Sequence, residues 1–166
     1  MVISLLRHAK AEKRQQDNLD FERALSPVGQ QQALSLSERL VNLWPISKAP
    51  NLQIWCSPSR RTRDTMNLLF NSQWNESIHI ELERHPLKIE YPNWLYLADG
   101  KHILQKIRQS NHVGQLLIIG HNDGLSDLAN HLTNRADLHL KTCSLIVMEK
   151  SSVNRERYSI LKHWNP

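Results

Sequence analysis

Leu116-Leu117-Ile118-Ile119-Gly120-His121 is the stretch on which the fold turns. Its four consecutive apolar residues are too few for a helix and too continuous for a strand with one wet face. They describe a strand buried on both sides, the kind found inside a parallel sheet. The same reading applies at Val2-Ile3-Ser4-Leu5-Leu6, closed by Arg7-His8, and at Leu52-Gln53-Ile54-Trp55-Cys56, closed by Ser57. Helical signals lie between these runs. Ser26-Pro27 offers an N-cap serine with proline at the first helical position, and Ala33, Leu36, Leu40 and Leu43 follow at spacings of three and four up to Pro45. Ser57-Pro58 repeats the signal and predicts a helix from there through Phe70. Asp99 can cap a helix carrying Ile103, Leu104 and Ile107, and a further helix is expected from about Leu125 to Leu132.

The remaining segments are plainer. Lys10 to Glu22 is polar and reads as a loop, Ile78 to Leu82 is a candidate third strand, and Arg84 to Leu97, interrupted by Pro86 and Pro92, reads as a long loop. Ser144 to Met148 and Tyr158 to Leu161 are two strands joined across Ser151-Ser152-Val153-Asn154, a possible antiparallel hairpin. Strands alternating with helices predict an α/β three-layer sandwich with a mainly parallel central sheet and no large cap, a single domain over residues 1–166.

Composition narrows the function classes. With 40% hydrophobic and 22% charged residues, and no apolar run near the roughly 20 residues of a membrane span, a soluble domain without a membrane role is expected. The N-terminus has neither a basic leader nor a long apolar segment, so the cytoplasm is the expected location. Cys56 and Cys143 lie in strand-like apolar stretches and read as reduced, buried thiols. The net charge of +5 favours anionic partners. Nucleic acid is not favoured among them, because Trp44, Trp55, Trp74, Trp94 and Trp164 are dispersed rather than interleaved with a basic stripe.

Three strands end at Arg7-His8, at Ser57 shortly before Arg60-Arg61, and at Gly120-His121. Parallel strands share one carboxyl edge, and ligands bind there. That edge gathers two histidines and several arginines, with no spacing of cysteine, histidine or aspartate that suits a metal. Arginine presents a fixed fork to phosphate oxygens and keeps its charge. A histidine among arginines is held neutral and keeps the lone pair that attack on phosphorus requires. Such a set suits phosphoryl transfer without a metal or other cofactor. Cys56 does not suit a cysteine-based alternative, which needs arginine at the position of Thr62.

Leu6-Arg7-His8-Ala9, Arg23-Ala24-Leu25-Ser26-Pro27-Val28-Gly29, Ser57-Pro58-Ser59-Arg60-Arg61-Thr62-Arg63-Asp64-Thr65 and Ile119-Gly120-His121-Asn122 resemble the motifs of the histidine phosphatase superfamily. Within it the likeness is to the short SixA-type branch of phosphohistidine phosphatases. The resemblance implies a phosphoglycerate mutase-like fold, with His8 as the nucleophile that is transiently phosphorylated and Arg7 as a phosphate ligand. Arg61, four residues after Ser57 and four before Thr65, takes the place of the second family arginine, and His121 that of the second histidine, donating to a phosphate oxygen. Arg23, Ser57 and Asn122 are expected at the substrate. The implied partner is a phosphohistidine-bearing protein; a small phosphorylated substrate is the alternative, and a non-catalytic phosphate-binding module is less favoured because His8 is retained. Two departures stand out. No motif marks the carboxylate that larger members use as general acid, for which Glu83 and Glu90 are the candidates, and Asp123 stands where the branch often has proline.

Overall fold

The computed structural model describes residues 1–14, 19–43, 52–71, 88–110, 114–154 and 156–166. Six strands form one sheet: β1 (Val2–Arg7), β2 (Leu52–Cys56), β3 (Lys88–Glu90), β4 (Gln115–Gly120), β5 (Leu145–Lys150) and β6 (Tyr158–Trp164). Their order across the sheet is β3-β2-β4-β1-β5-β6. The pairs β1/β4, β2/β4 and β2/β3 are parallel, and β5 runs antiparallel to both β1 and β6. The predicted mainly parallel sheet is therefore present, with the hairpin closing one side.

Four helices are described: α1 (Pro27–Leu43), α2 (Arg60–Asn71), α3 (Gly100–Gln109) and α4 (Gly124–Thr133). Period-two alternation along each strand decides what each helix covers. Leu6, Ile54, Leu117, Ile119 and Val147 face α1 and α2 through Ala33, Leu36, Met66 and Leu69. Ile3, Leu5, Leu116, Ile118 and Ile146 face Ile103, Ile107, Leu125 and Leu128 of α3 and α4. Every residue of β4 is buried, which is why its sequence reads as an uninterrupted apolar run. Among the described residues no helix is long and apolar enough to cross a membrane.

The sequence reading needs correction at four places. The Ser57-Pro58 signal does not start α2, which begins at Arg60; Arg63 N–H donates to the Ser59 carbonyl, and the Ser57 hydroxyl is engaged by His121 instead. A strand forms at Lys88–Glu90, inside the segment expected to be a loop, where Ile89 pairs with Ile54 at the sheet margin. The candidate strand at 78–82 lies outside the described residues. Cys143 sits in a turn with φ 64° rather than in a strand, although like Cys56 it is a free, buried thiol. Finally, β6 runs on to Trp164, past the expected end at Leu161.

Candidate active site

The carboxyl edge of β1 is fixed from both sides. Cys143 N–H donates to the carbonyls of Arg7 and His8, and His8 N–H donates to the Gly120 carbonyl on β4. Ala9 N–H donates to Thr65 Oγ1 at 3.0 Å, and that hydroxyl donates to the Arg61 carbonyl at 2.7 Å. The first turns of α2 and the end of β1 are thereby tied together, which sets His8 against Arg61. On the other side Ser26 caps α1, its Oγ accepting from Gly29 N–H and donating to the Lys10 carbonyl. A Cβ on Gly29 would stand 1.9 Å from that carbonyl oxygen, so only glycine lets α1 approach the segment after β1.

An open cavity of about 540 Å³ lies over this edge, lined by Arg7, His8, Lys10, Ala11, Arg14, Asp20, Arg23, Arg61, Tyr96, Leu97, His121, Asn122 and Thr142. Of the residues singled out in the sequence, Arg7, His8, Arg23, Arg61, His121 and Asn122 meet there. Ser57 does not line it; fully buried, it supports His121 from behind with an Oγ to Nε2 distance of 2.8 Å. Asn122 donates its amide to the Leu140 carbonyl, which also accepts from Arg7 Nη1. Glu90 is on β3, bonded to Gln53 and Lys88 and away from the cavity, and Glu83 lies outside the described residues. Asp123 is exposed and absent from the lining, and its charge favours the Arg7 cation against burial.

Hydrogen-bond partners fix both imidazoles. His8 Nδ1 is 2.7 Å from the Ala9 carbonyl, which can only accept, so Nδ1 carries the proton and Nε2 keeps its lone pair. That lone pair accepts from Arg61 Nε at 3.3 Å. His121 Nδ1 accepts from Arg61 Nη2 at 3.3 Å, leaving Nε2–H to donate to Ser57. Burial, ahead of the charges of Arg61, Arg7 and Arg23, lowers His8 to about 4, with the Ala9 carbonyl opposing. Burial, then His8, Arg61 and Arg7, lowers His121 to about 3 against the pull of Asp20. Arginine charge keeps these rings neutral as expected, but desolvation is the larger cause.

This has a measurable consequence for stability. An unfolded histidine titrates near 6.5, so above that pH both rings are neutral in either state and the fold bears no penalty. Below it the unfolded chain binds protons that the native pocket refuses, and stability falls as pH drops from about 6.5 towards 4. Each ring contributes up to about 1.4 kcal/mol per pH unit, and the lowered His163 adds in the same direction. Urea midpoints should fall clearly between pH 7 and pH 5, less so in His121→Ala. A flat profile over that interval would mean that the histidines are not held neutral.

Asp20 and Tyr96 complete the pocket and escaped the sequence reading. Asp20 Oδ2 accepts from Arg61 Nη2 at 3.0 Å and from the Tyr96 hydroxyl at 2.7 Å. Asp20 Oδ1 lies 2.9 Å from Arg23 Nε, close enough for an ion pair, although the N–H is not aimed at the oxygen. The Tyr96 ring meets the edge of His121 at 5.4 Å and lies 5.9 Å from the Arg61 guanidinium. Next to it Leu97, also in the lining, holds φ at 53°, a left-handed conformation costing a leucine about 1–2 kcal/mol. The one available signal was the spacing of Asp20 three residues before Arg23.

A mixed α/β sheet whose carboxyl edge carries two neutral histidines among arginines is the framework of an enzyme that handles phosphoryl groups. The chain belongs to the histidine phosphatase superfamily (branch 1), whose family model matches residues 3–85. Comparison with curated protein sequences gives no match. Among solved structures, the fold is similar to a protein described as the phosphohistidine phosphatase SixA of Agrobacterium tumefaciens, at 21% identity and TM-score 0.76 over 99% of this chain and 98% of that one. It is similar also to the protein histidine phosphatase SixA complexed with tungstate, at 15% identity and TM-score 0.72 over 98% and 96%. A mycobacterial glucosyl-3-phosphoglycerate phosphatase shares the fold at 17% identity and TM-score 0.60, over 96% of each chain.

Proposed function

We propose that the protein is a metal-independent phosphatase that transfers a phosphoryl group to His8 Nε2 and then to water, acting on phosphohistidine of a partner protein in the cytoplasm. The observation that carries this reading is the Nδ1–H to Ala9 contact, which leaves the Nε2 lone pair at the floor of a cationic cavity. As Nε2 attacks phosphorus, the bond to the leaving group breaks and that group keeps the electron pair. Arg61 Nε exchanges the His8 lone pair for a phosphoryl oxygen. Arg7, Arg61 and Arg23 spread the charge of the three equatorial oxygens, and His121 donates to one of them once the charge of the bound phosphoryl group offsets the arginines and lets the ring take up a proton from solvent, which it returns when phosphate leaves. Water then attacks the phosphorus of the N-phosphohistidine, phosphate leaves, and the Nε2 lone pair is restored.

The substrate class follows from the absence of a placed acid among the described residues. Glu90 is engaged elsewhere, and Asp20 has no proton to give: burial raises its carboxyl, but Tyr96, Arg61 and Arg23 together hold it below the ordinary range. An imidazole leaving phosphorus accepts a proton far more readily than an alkoxide and depends less on a positioned acid. Among the described residues no three His, Cys, Asp or Glu side chains gather as metal ligands.

Assayed in EDTA, kcat/KM for a phosphohistidine protein should exceed that for phosphoserine or sugar phosphates by about 10²-fold or more. Faster turnover of alkyl esters, lost selectively in Glu83→Gln or Glu90→Gln, would replace this reading with a small-molecule phosphomonoesterase. That second reading has in its favour a cavity of about 540 Å³, within the usual range for small ligands.

A further inference from the structure

Arg61 is 1% exposed, and at least four of its five N–H groups are already committed: Nε to His8, Nη1 to the Asp20 carbonyl at 2.6 Å, and Nη2 to both Asp20 Oδ2 and His121 Nδ1. A phosphoryl group gripped in a two-point fork needs at least two donors, so it cannot enter without taking some of these over. The partner best suited to yield is the Asp20 carboxylate. It is an anion like the incoming group, it is 28% exposed where Arg61 is buried, and its neighbours Leu19 and Phe21 belong to a rim segment rather than to the sheet. It also stands by Arg23, a second arginine of the lining.

We propose that Asp20 is a resident counter-ion to the arginines of the pocket and exchanges with the phosphoryl group. This rests on the reading of the cavity as a phosphoryl site. The carboxylate compensates a buried guanidinium that would otherwise face two neutral histidines, a costly arrangement. Tyr96 positions it: burial, then Asp20 itself, push the tyrosine hydroxyl up, so it remains a donor to Oδ2. When the phosphoryl group arrives it takes over the counter-ion role, and the carboxylate beside it repels a dianion. After hydrolysis the same carboxylate competes with inorganic phosphate for Arg61 and so promotes product release.

The exchange predicts that removing the charge tightens product binding. Inorganic phosphate should be titrated calorimetrically into the full-length wild type and Asp20→Asn, which keeps the side-chain volume. We expect binding about tenfold tighter or more in the variant, with a larger rise in Tm at saturating phosphate. Equal or weaker binding by Asp20→Asn, with the wild type still binding, overturns the exchange and leaves the phosphoryl site standing. No binding by either protein overturns both. Should the variant not fold, the wild type gives the answer by ¹³C NMR: the Asp20 carboxyl resonance must move on saturation with phosphate, and an unmoved resonance refutes the exchange.

Discussion

His8→Ala should lose turnover by about 10⁴-fold or more while remaining folded. Among the described residues of the cavity the His8 and His121 rings each hold an unshared pair towards Arg61, and the nucleophile's role is proposed for His8 because it stands in the Arg7-His8 motif at the end of β1. His121, the second ring, directs its own lone pair at Arg61 Nη2 and its N–H at Ser57. Folding should survive because the ring packs against polar pocket groups, and the tie between β1 and α2 runs through Ala9 and Thr65 rather than through the imidazole. Removal of a buried ring held neutral should also make stability less sensitive to acid between pH 6.5 and 4. Circular dichroism at pH 7 would report the fold, and stopped assays the rate; substantial residual hydrolysis would take His8 out of the nucleophile's role.

Arg61→Lys keeps the charge and should still reduce kcat/KM by about 10²–10³-fold. The guanidinium reaches His8, His121 and both the carbonyl and the carboxylate of Asp20 from one planar group. An ammonium has three donors on a flexible stem and cannot span that set. Arg60 and Arg63 serve as internal controls, because both are exposed on α2 and Arg60 is paired with Asp64. Lysine at either should leave kinetics near wild type. If Arg61→Lys behaves like the wild type, or if a control variant fails in its place, the phosphate fork has been assigned to the wrong arginine.

The parts of this architecture that could be read from the sequence are those whose physics is local. β1, β2 and β4 announce themselves because a strand buried on both faces is apolar along most of its length, Ser4, Gln53 and Gln115 being the exceptions, and their ends deliver Arg7-His8, Ser57 and Gly120-His121 to one edge. The serine-proline signal at α1 and the aspartate cap of α3 are likewise local, and Asp99 does accept from His102 N–H at 2.8 Å. What failed to show was set by competition at a distance. The signal at Ser57 is as good as the one at Ser26, but the hydroxyl of Ser57 is taken by His121, 64 residues away, and α2 starts later. β3 has only three residues and no alternation to detect. Asp20 and Tyr96 are separated by 76 residues, in two segments with no periodicity, and nothing in either marks a shared hydrogen bond. The sequence offers Glu83 and Glu90 as carboxylates for the site, while the carboxylate that lines the pocket among the described residues, Asp20, lies upstream, beside Arg23.

The central claim, a covalent intermediate on His8, is tested most directly by trapping it. The wild-type protein mixed with a ³²P-labelled phosphohistidine protein and quenched within the first turnover should carry a phosphoryl group that is labile in acid and stable in alkali. Peptide mapping should place it on the segment containing His8, and His8→Ala should carry none. Turnover without any such species, or a label that maps to another residue or survives acid, would contradict the account.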